Sequence, residues 1–178
     1  MTIAPVSQRA FYAVIFLLPF GALAWSDRPV LISTVLYLNL YALALYDQFT
    51  FRLPNLLTAT LLLTGLLHAY MVQETMPSYV LGAAAGFLSL WGLSFFYLKL
   101  RGRHGLGMGD AKFLAGAGAW VGWFGLPPVL LVAALAGLGA FLLKTVKKRQ
   151  FDPQQPIPFG PCLCFGTWLI WLFFAYPR

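Results

Sequence analysis

Seven mostly apolar stretches, most of them near the length of a bilayer crossing, divide this 178-residue chain and leave only short breaks between them. They run over residues 10–25, 30–46, 55–72, 79–98, 110–121, 129–143 and 160–176. About 20 helical residues cross the roughly 30 Å of hydrocarbon in a membrane. In that medium a backbone must satisfy its own N–H and C=O groups, which leaves helices as the simple solution for such runs. Residues of hydrophobic type make up 60% of the chain and charged residues only 10%, against roughly 25% charged in soluble domains. The expectation is an all-α, polytopic integral membrane protein of about seven helices. Residues 1–178 are expected to form a single transmembrane domain, with no length left for a separate soluble one.

The breaks set the expected boundaries. Arg9 precedes the first run, and Ala22-Leu23-Ala24 within it resembles the small-residue cleavage site of a secretory signal. Retention of this helix is expected, and its removal would leave the orientation of the others unchanged. Ser26 to Pro29 form a turn, and Asp47 to Arg52 a polar insert; Pro54 stands where a first-turn helix proline belongs. Gln73 to Ser78 form a short loop. Gly82 and Gly86 give the fourth run a small-xxx-small face, a helix-packing device. The loop Lys99 to Gly109 is basic and glycine-rich. Asp110 to Val121 is short for a crossing and must tilt or continue through Gly122 to Phe124. Pro127-Pro128 is the expected break before the sixth span, and Pro153, Pro156 and Pro158 punctuate the linker before the last.

Charge orients the spans. Placed alternately on two sides, Arg9, Arg52, Lys99, Arg101, Arg103, Lys144, Lys147, Lys148 and Arg149 fall on one side, whereas Arg28 and Arg178 fall on the other. Lys112 lies at a boundary. The positive-inside tendency then puts the N-terminus and the segments of Asp47, Asp110 and Pro153 in the cytoplasm. The same clusters account for the net charge of +7 without nucleic acid, since no soluble module carries a binding face. Cys162 and Cys164 lie together in one apolar stretch and read as packing residues, which excludes a disulfide framework or a four-cysteine zinc site.

Only five acids occur: Asp27, Asp47, Glu74, Asp110 and Asp152. Asp47 and Asp110, 63 positions apart, both stand at span boundaries on the same expected face. Two carboxyls within hydrogen-bonding reach share a proton, because both cannot ionise comfortably. The ionised one can then draw a proton from water while the protonated one polarises a peptide carbonyl, the division of labour of aspartic proteases. The plainer reading keeps each acid as a helix end or as a partner of Arg52 or Lys112. Gly107 and Gly109, flanking Met108, allow a tight turn and close approach just before Asp110.

Three blocks carry a resemblance. Asp47 followed by Leu53-Pro54-Asn55-Leu56-Leu57-Thr58, then Gly107-Met108-Gly109-Asp110-Ala111-Lys112 running on to Gly118-Ala119-Trp120-Val121-Gly122, then Ile157-Pro158-Phe159-Gly160-Pro161 together resemble the type IV prepilin peptidases, membrane aspartyl proteases of GxGD type. Tyr46-Asp47 resembles, over two residues only, the tyrosine-aspartate pair of presenilin-like proteases. The resemblance implies that Asp47 and Asp110 are the catalytic dyad, supported by Pro54, Gly107, Gly109, Lys112, Pro158 and Gly160. It implies a prepilin or pseudopilin substrate, cut at the cytoplasmic face of the bacterial inner membrane just before its hydrophobic helix, for type IV pilus assembly or type II secretion. Longer members of that family carry a cysteine-paired zinc segment and an N-methyltransferase activity. Nothing between Met1 and Asp47 houses such a segment, so a short peptidase form without a cofactor is expected.

Competing readings make distinct demands. A small proton-coupled transporter or channel using the same aspartates would place acids near mid-membrane and show a repeat. A serine protease would draw on Ser33, Ser89, Ser94 and His68, but no nucleophile motif frames them. A zinc protease would need a His-Glu-x-x-His segment, and the sequence contains none. A non-enzymatic assembly partner of a pilus or secretion machine is the third class. Lys112 lies two positions past Asp110, off its helical face, and is available to the acid, to substrate or to lipid headgroups. His68 and His104 have no ligand partner at useful spacing. Pro158 to Pro161 either line a groove or simply start a helix.

Overall fold

A computed structural model describes residues 29–72, 76–101, 107–148 and 159–173, and every structural statement below concerns these residues. They form α1 (Val30–Thr50), α2 (Asn55–Val72), α3 (Met76–Arg101), α4 (Met108–Lys148) and α5 (Gly160–Phe173). The described chain is thus all-α, with five helices. The expected run 10–25 and the N-terminus lie outside the described residues. Val30–Thr50, Met76–Leu100 and Met108–Leu142 are each long and apolar enough to cross a membrane; Asn55–Met71 and Gly160–Phe173 are shorter apolar helices. The protein is a multi-pass membrane protein.

The long α4 departs from the expected boundaries. Its 35-residue apolar part would span roughly 50 Å as one straight rod, well beyond the hydrocarbon thickness. It does not run straight, because Gly122 is non-helical, with φ 71 and ψ 175. The neighbours on each side of Gly122 show that the chain reverses there. Before the kink, Gly118 lies against Gly82 and Leu114 against Gly86, so this arm runs antiparallel to α3. After it, Gly125 faces Ile170, Gly166 lies on Val129, and Gly137 faces Phe159 and Cys162, so the second arm returns antiparallel to α5. The expected break at Pro127-Pro128 is therefore misplaced. Both prolines lie inside the helix, one turn beyond the kink. The positive φ needed for the reversal is open to glycine and not to proline, whose ring holds φ near −65°.

Packing follows the small residues. Gly82 and Gly118 bring two backbones into contact, and a Cβ on Gly82 would stand 2.7 Å from the Gly122 carbonyl carbon. With lipid outside as apolar as the protein inside, such contact is what holds spans together. The expected face of Gly82 and Gly86 is therefore the α3–α4 seam. A methyl at Gly118 has no room, while one at Gly92 meets nothing within 4 Å. Gly118→Ala is expected to destabilise the protein by about 1–3 kcal/mol through overpacking, and Gly92→Ala to be neutral or slightly stabilising. Thermal unfolding of both variants in one detergent checks the contrast; equal midpoints would contradict the seam.

At the end remote from Asp47, aromatic side chains from four helices interlock. His68 stacks on Trp120 (5.4 Å, 11°) and meets Trp171 and Tyr79 edge-on. The Trp120 indole N–H donates to the Leu61 carbonyl (2.9 Å), and that of Trp171 to the Ser33 hydroxyl (3.0 Å). Each buried indole N–H thus has a partner, as burial of a polar handle requires. Ser33 and His68 are part of this packing, and the Ser89 hydroxyl donates to the Gly86 carbonyl of its own helix. Cys162 and Cys164 stand on α5 outside any disulfide, the second fully buried, as expected of packing residues.

Candidate active site

Asp47 belongs to the buried face of α1. Ser33, Leu36, Tyr37, Leu40, Leu43, Ala44 and Asp47 recur at three- and four-residue intervals and are all buried. The helical period that turns leucines inward therefore turns this acid inward too. The helix ends immediately afterwards. Phe51 adopts the left-handed conformation (φ 52), and its N–H donates to the Asp47 carbonyl at 2.8 Å. A non-glycine residue is uncommon there, and it swings the chain into the next block within one turn of Asp47.

That block opens α2. Pro54 lies just ahead of the first helical residue, Asn55, and its carbonyl accepts the first helical bond, from the Thr58 N–H at 3.1 Å. It thus caps the helix instead of sitting in its first turn, a shift of one residue from expectation. The Thr58 hydroxyl also reaches the Asn55 carbonyl at 3.1 Å.

The arm carrying Asp110 starts beside it. The Asp110 N–H donates to the Gly107 carbonyl (3.1 Å), which makes the first turn of α4. Of the two expected glycines, Gly109 is the more tightly packed, because a Cβ there would stand 3.1 Å from the Leu53 Cβ. A Cβ on Gly107 would meet only Oδ2 of Asp110, at an ordinary 3.5 Å. The close approach expected of this loop is therefore to Leu53, in the segment that follows Asp47. Lys112 donates to Oδ1 of Asn55 at 2.7 Å, so its ammonium ties the starts of α2 and α4 together. Sequence reasoning missed Asn55 as its partner; a polar residue heading an apolar helix was the available signal.

The starts of α4 and α5 meet the end of α1. Asp47 is 6% exposed, and its Oδ2 accepts the backbone N–H of Gly160 at 2.9 Å. Asp110 is half-buried and lies near enough to Asp47 for the two charges to interact. The structure thus brings together Asp47, Asp110 and Gly160, with Gly107, Gly109, Lys112 and Pro54 in the segments that hold them. Pro158 lies outside the described residues. Cys164, one turn along α5 from Gly160, is also within electrostatic reach of Asp47, a proximity that the packing assignment did not anticipate.

Three helix ends thus hold two carboxyls within electrostatic reach of one another, and carboxyls that come within hydrogen-bonding reach can share a proton and activate a water molecule. The sequence profile of the type IV leader peptidase family matches residues 34–142, a span holding both acids. The chain belongs to the type IV leader peptidase family. A prepilin leader peptidase/N-methyltransferase of Burkholderia pseudomallei (strain 1026b) is 41% identical over 139 residues, covering 78% of this chain and 44% of the relative. The protein of the same name from Dickeya chrysanthemi is 41% identical over 147 residues, covering 80% and 51%. That from Aeromonas hydrophila is 38% identical over 178 residues, covering 94% and 60%. The chain spans about half the length of the curated relatives it matches. No solved structure matches it.

The Lys112 bridge carries a prediction of its own. Asn55→Leu removes the acceptor of an exposed hydrogen bond, which water can partly replace, at a cost of about 0.5–1 kcal/mol. The unfolding midpoint should fall, and Lys112→Met in the same background should recover part of the loss. Midpoints unchanged by Asn55→Leu would show that the bridge contributes nothing to stability.

Proposed function

We propose that this protein is an aspartic endopeptidase that removes the leader of a type IV prepilin or pseudopilin, with Asp47 and Asp110 as its catalytic pair. The observation that carries the reading is that two acids, 63 positions apart in a chain with five, lie within electrostatic reach of one another, Asp47 buried and Asp110 half-buried. Names of the relatives supply the substrate class. One carboxylate takes a proton from water as the water oxygen bonds to the scissile carbonyl carbon, and the other carboxyl gives its proton to the carbonyl oxygen. As the tetrahedral diol collapses, the first acid returns its proton to the leaving nitrogen and the C–N bond breaks. The second carboxylate recovers a proton from a diol hydroxyl, which regenerates the starting pair. Peptidase chemistry alone is assigned to these residues.

The reaction is placed at the cytoplasmic face of the inner membrane. Arg52, Lys99 and the helix end at Lys148 all stand at the end of the bundle that holds the acids, in keeping with the positive-inside tendency. This face suits a substrate whose basic leader precedes an apolar helix. The transporter reading is less well supported: it wants acids at broken helices near mid-membrane, whereas the break at Gly122 lies at the far end of the arm from Asp110.

Two experiments test the proposal. Purified protein in detergent, mixed with a prepilin, should release a leader peptide identifiable by mass, and persistent absence of cleavage across prepilins and pseudopilins would count against it. Single cysteines at Gln48 and Arg103, in a background with Cys162 and Cys164 replaced by serine, should react with an impermeant thiol reagent only from the cytoplasm. Labelling of intact cells from outside would reverse the orientation.

A further inference from the structure

We infer that Gly160 is a positioning residue for Asp47: its backbone N–H occupies Oδ2, leaving Oδ1 to take the proton from water, and so makes Asp47 the base and Asp110 the acid of the pair. The inference rests on the dyad reading and adds a role for each member.

The first turn of α5 leaves one donor for this purpose. Among its opening residues, Pro161 has no N–H, and the N–H groups of Cys162 and Leu163 both go to the Phe159 carbonyl, at 3.1 Å each. Gly160 supplies the donor that leaves the helix, and it goes to Oδ2 of Asp47 at 2.9 Å. An N–H can only donate, so the bond is strongest when its acceptor carries the charge. The partial positive charge at the start of α5 acts in the same sense. Asp47 otherwise sits in the last turn of its own helix, where the backbone offers a negative charge nothing. Among the described residues, Asp110 and Cys164 are titratable groups within electrostatic reach of Asp47, and neither supplies a positive charge.

The position also excludes any side chain. A Cβ at residue 160 would stand 2.6 Å from Oδ2 and 2.9 Å from the Asp47 Cβ. Glycine before proline thus does two things: it lets the carboxylate sit directly on the backbone, and it limits the contact to one hydrogen bond, so that one oxygen remains for chemistry. Gly139, farther along α4, has no atom within 4 Å of its missing Cβ and serves as a control.

Gly160→Ala retains the N–H but must push the carboxylate aside. In the leader-cleavage assay kcat should fall about 10²-fold, the scale of a misplacement near 1 Å, with KM unchanged, while Gly139→Ala cleaves like wild type. A kcat for Gly160→Ala within about threefold of wild type, or a rise confined to KM, would overturn the inference. If Gly160→Ala does not fold, amide hydrogen exchange at Gly160 decides. Asp47→Ala should speed that exchange and Asp110→Ala should not; equal rates in wild type and Asp47→Ala would overturn the inference. The dyad reading fails separately, through an Asp47→Asn variant that still cleaves.

Discussion

Gly122→Val is expected to leave little folded protein. The φ of 71 and ψ of 175 at this position lie in a region essentially restricted to glycine, where another residue costs about 1–3 kcal/mol. The new side chain also begins 2.9 Å from the Ser78 hydroxyl oxygen, which adds an overpacking cost of about 1–3 kcal/mol. Together these come to about 2–6 kcal/mol, a large part of the stability of a domain at the lower end of the usual range of about 5–15 kcal/mol. The damage would not stay local. Gly122 sends the second arm of α4 back along α5, and α5 brings Gly160 to Asp47. Gly122→Ala should be milder, yet clearly less stable than Gly92→Ala. The check is the folded fraction by size-exclusion chromatography and the unfolding midpoint in detergent; a Gly122→Val protein with a wild-type midpoint would mean that α4 does not turn as described.

Much of this arrangement was legible in the residues. The apolar runs that became α1 to α5 were bounded by the charges, prolines and glycines that end helices, and α3 extends only a few residues beyond its expected 79–98. The seam of Gly82 and Gly86 was legible because small residues four apart on a span have few other uses. The acids stood out because ionisable groups are scarce in such a chain. The reversal in α4 was harder to see. Pro127-Pro128 looked like the stronger break, since the effect of a proline on a helix is local and certain. A glycine's conformation depends instead on what its neighbours pack against, and Ser78 beside Gly122 and Ile170 beside Gly125 lie far from the turn along the chain. The same limit hid the bond between Lys112 and Asn55, 57 positions apart, and the bond between Gly160 and Asp47, 113 positions apart. Pattern and spacing indicate which face of a helix is inward; they do not indicate which inward groups meet.

Asp47→Asn and Asp110→Asn are each expected to abolish leader cleavage while leaving the protein folded. Asparagine matches aspartate in size and keeps an oxygen that can accept the Gly160 N–H, so the architecture around residue 47 has no reason to change. It can neither take nor return a proton as a carboxyl does. Because the proposed pair works as a unit, with each member handling a proton in both halves of the reaction, loss of either should cost at least about 10³-fold in rate. The double variant should be scarcely worse than either single one. A transporter or an assembly partner makes no such demand, since neither reading links the acids to breaking a peptide bond. The decisive measurement is the rate of leader release from a prepilin by wild type, Asp47→Asn, Asp110→Asn and the double variant, at matched amounts of folded protein. Release by wild type alone is the predicted result, and near wild-type release by either single variant would contradict the account.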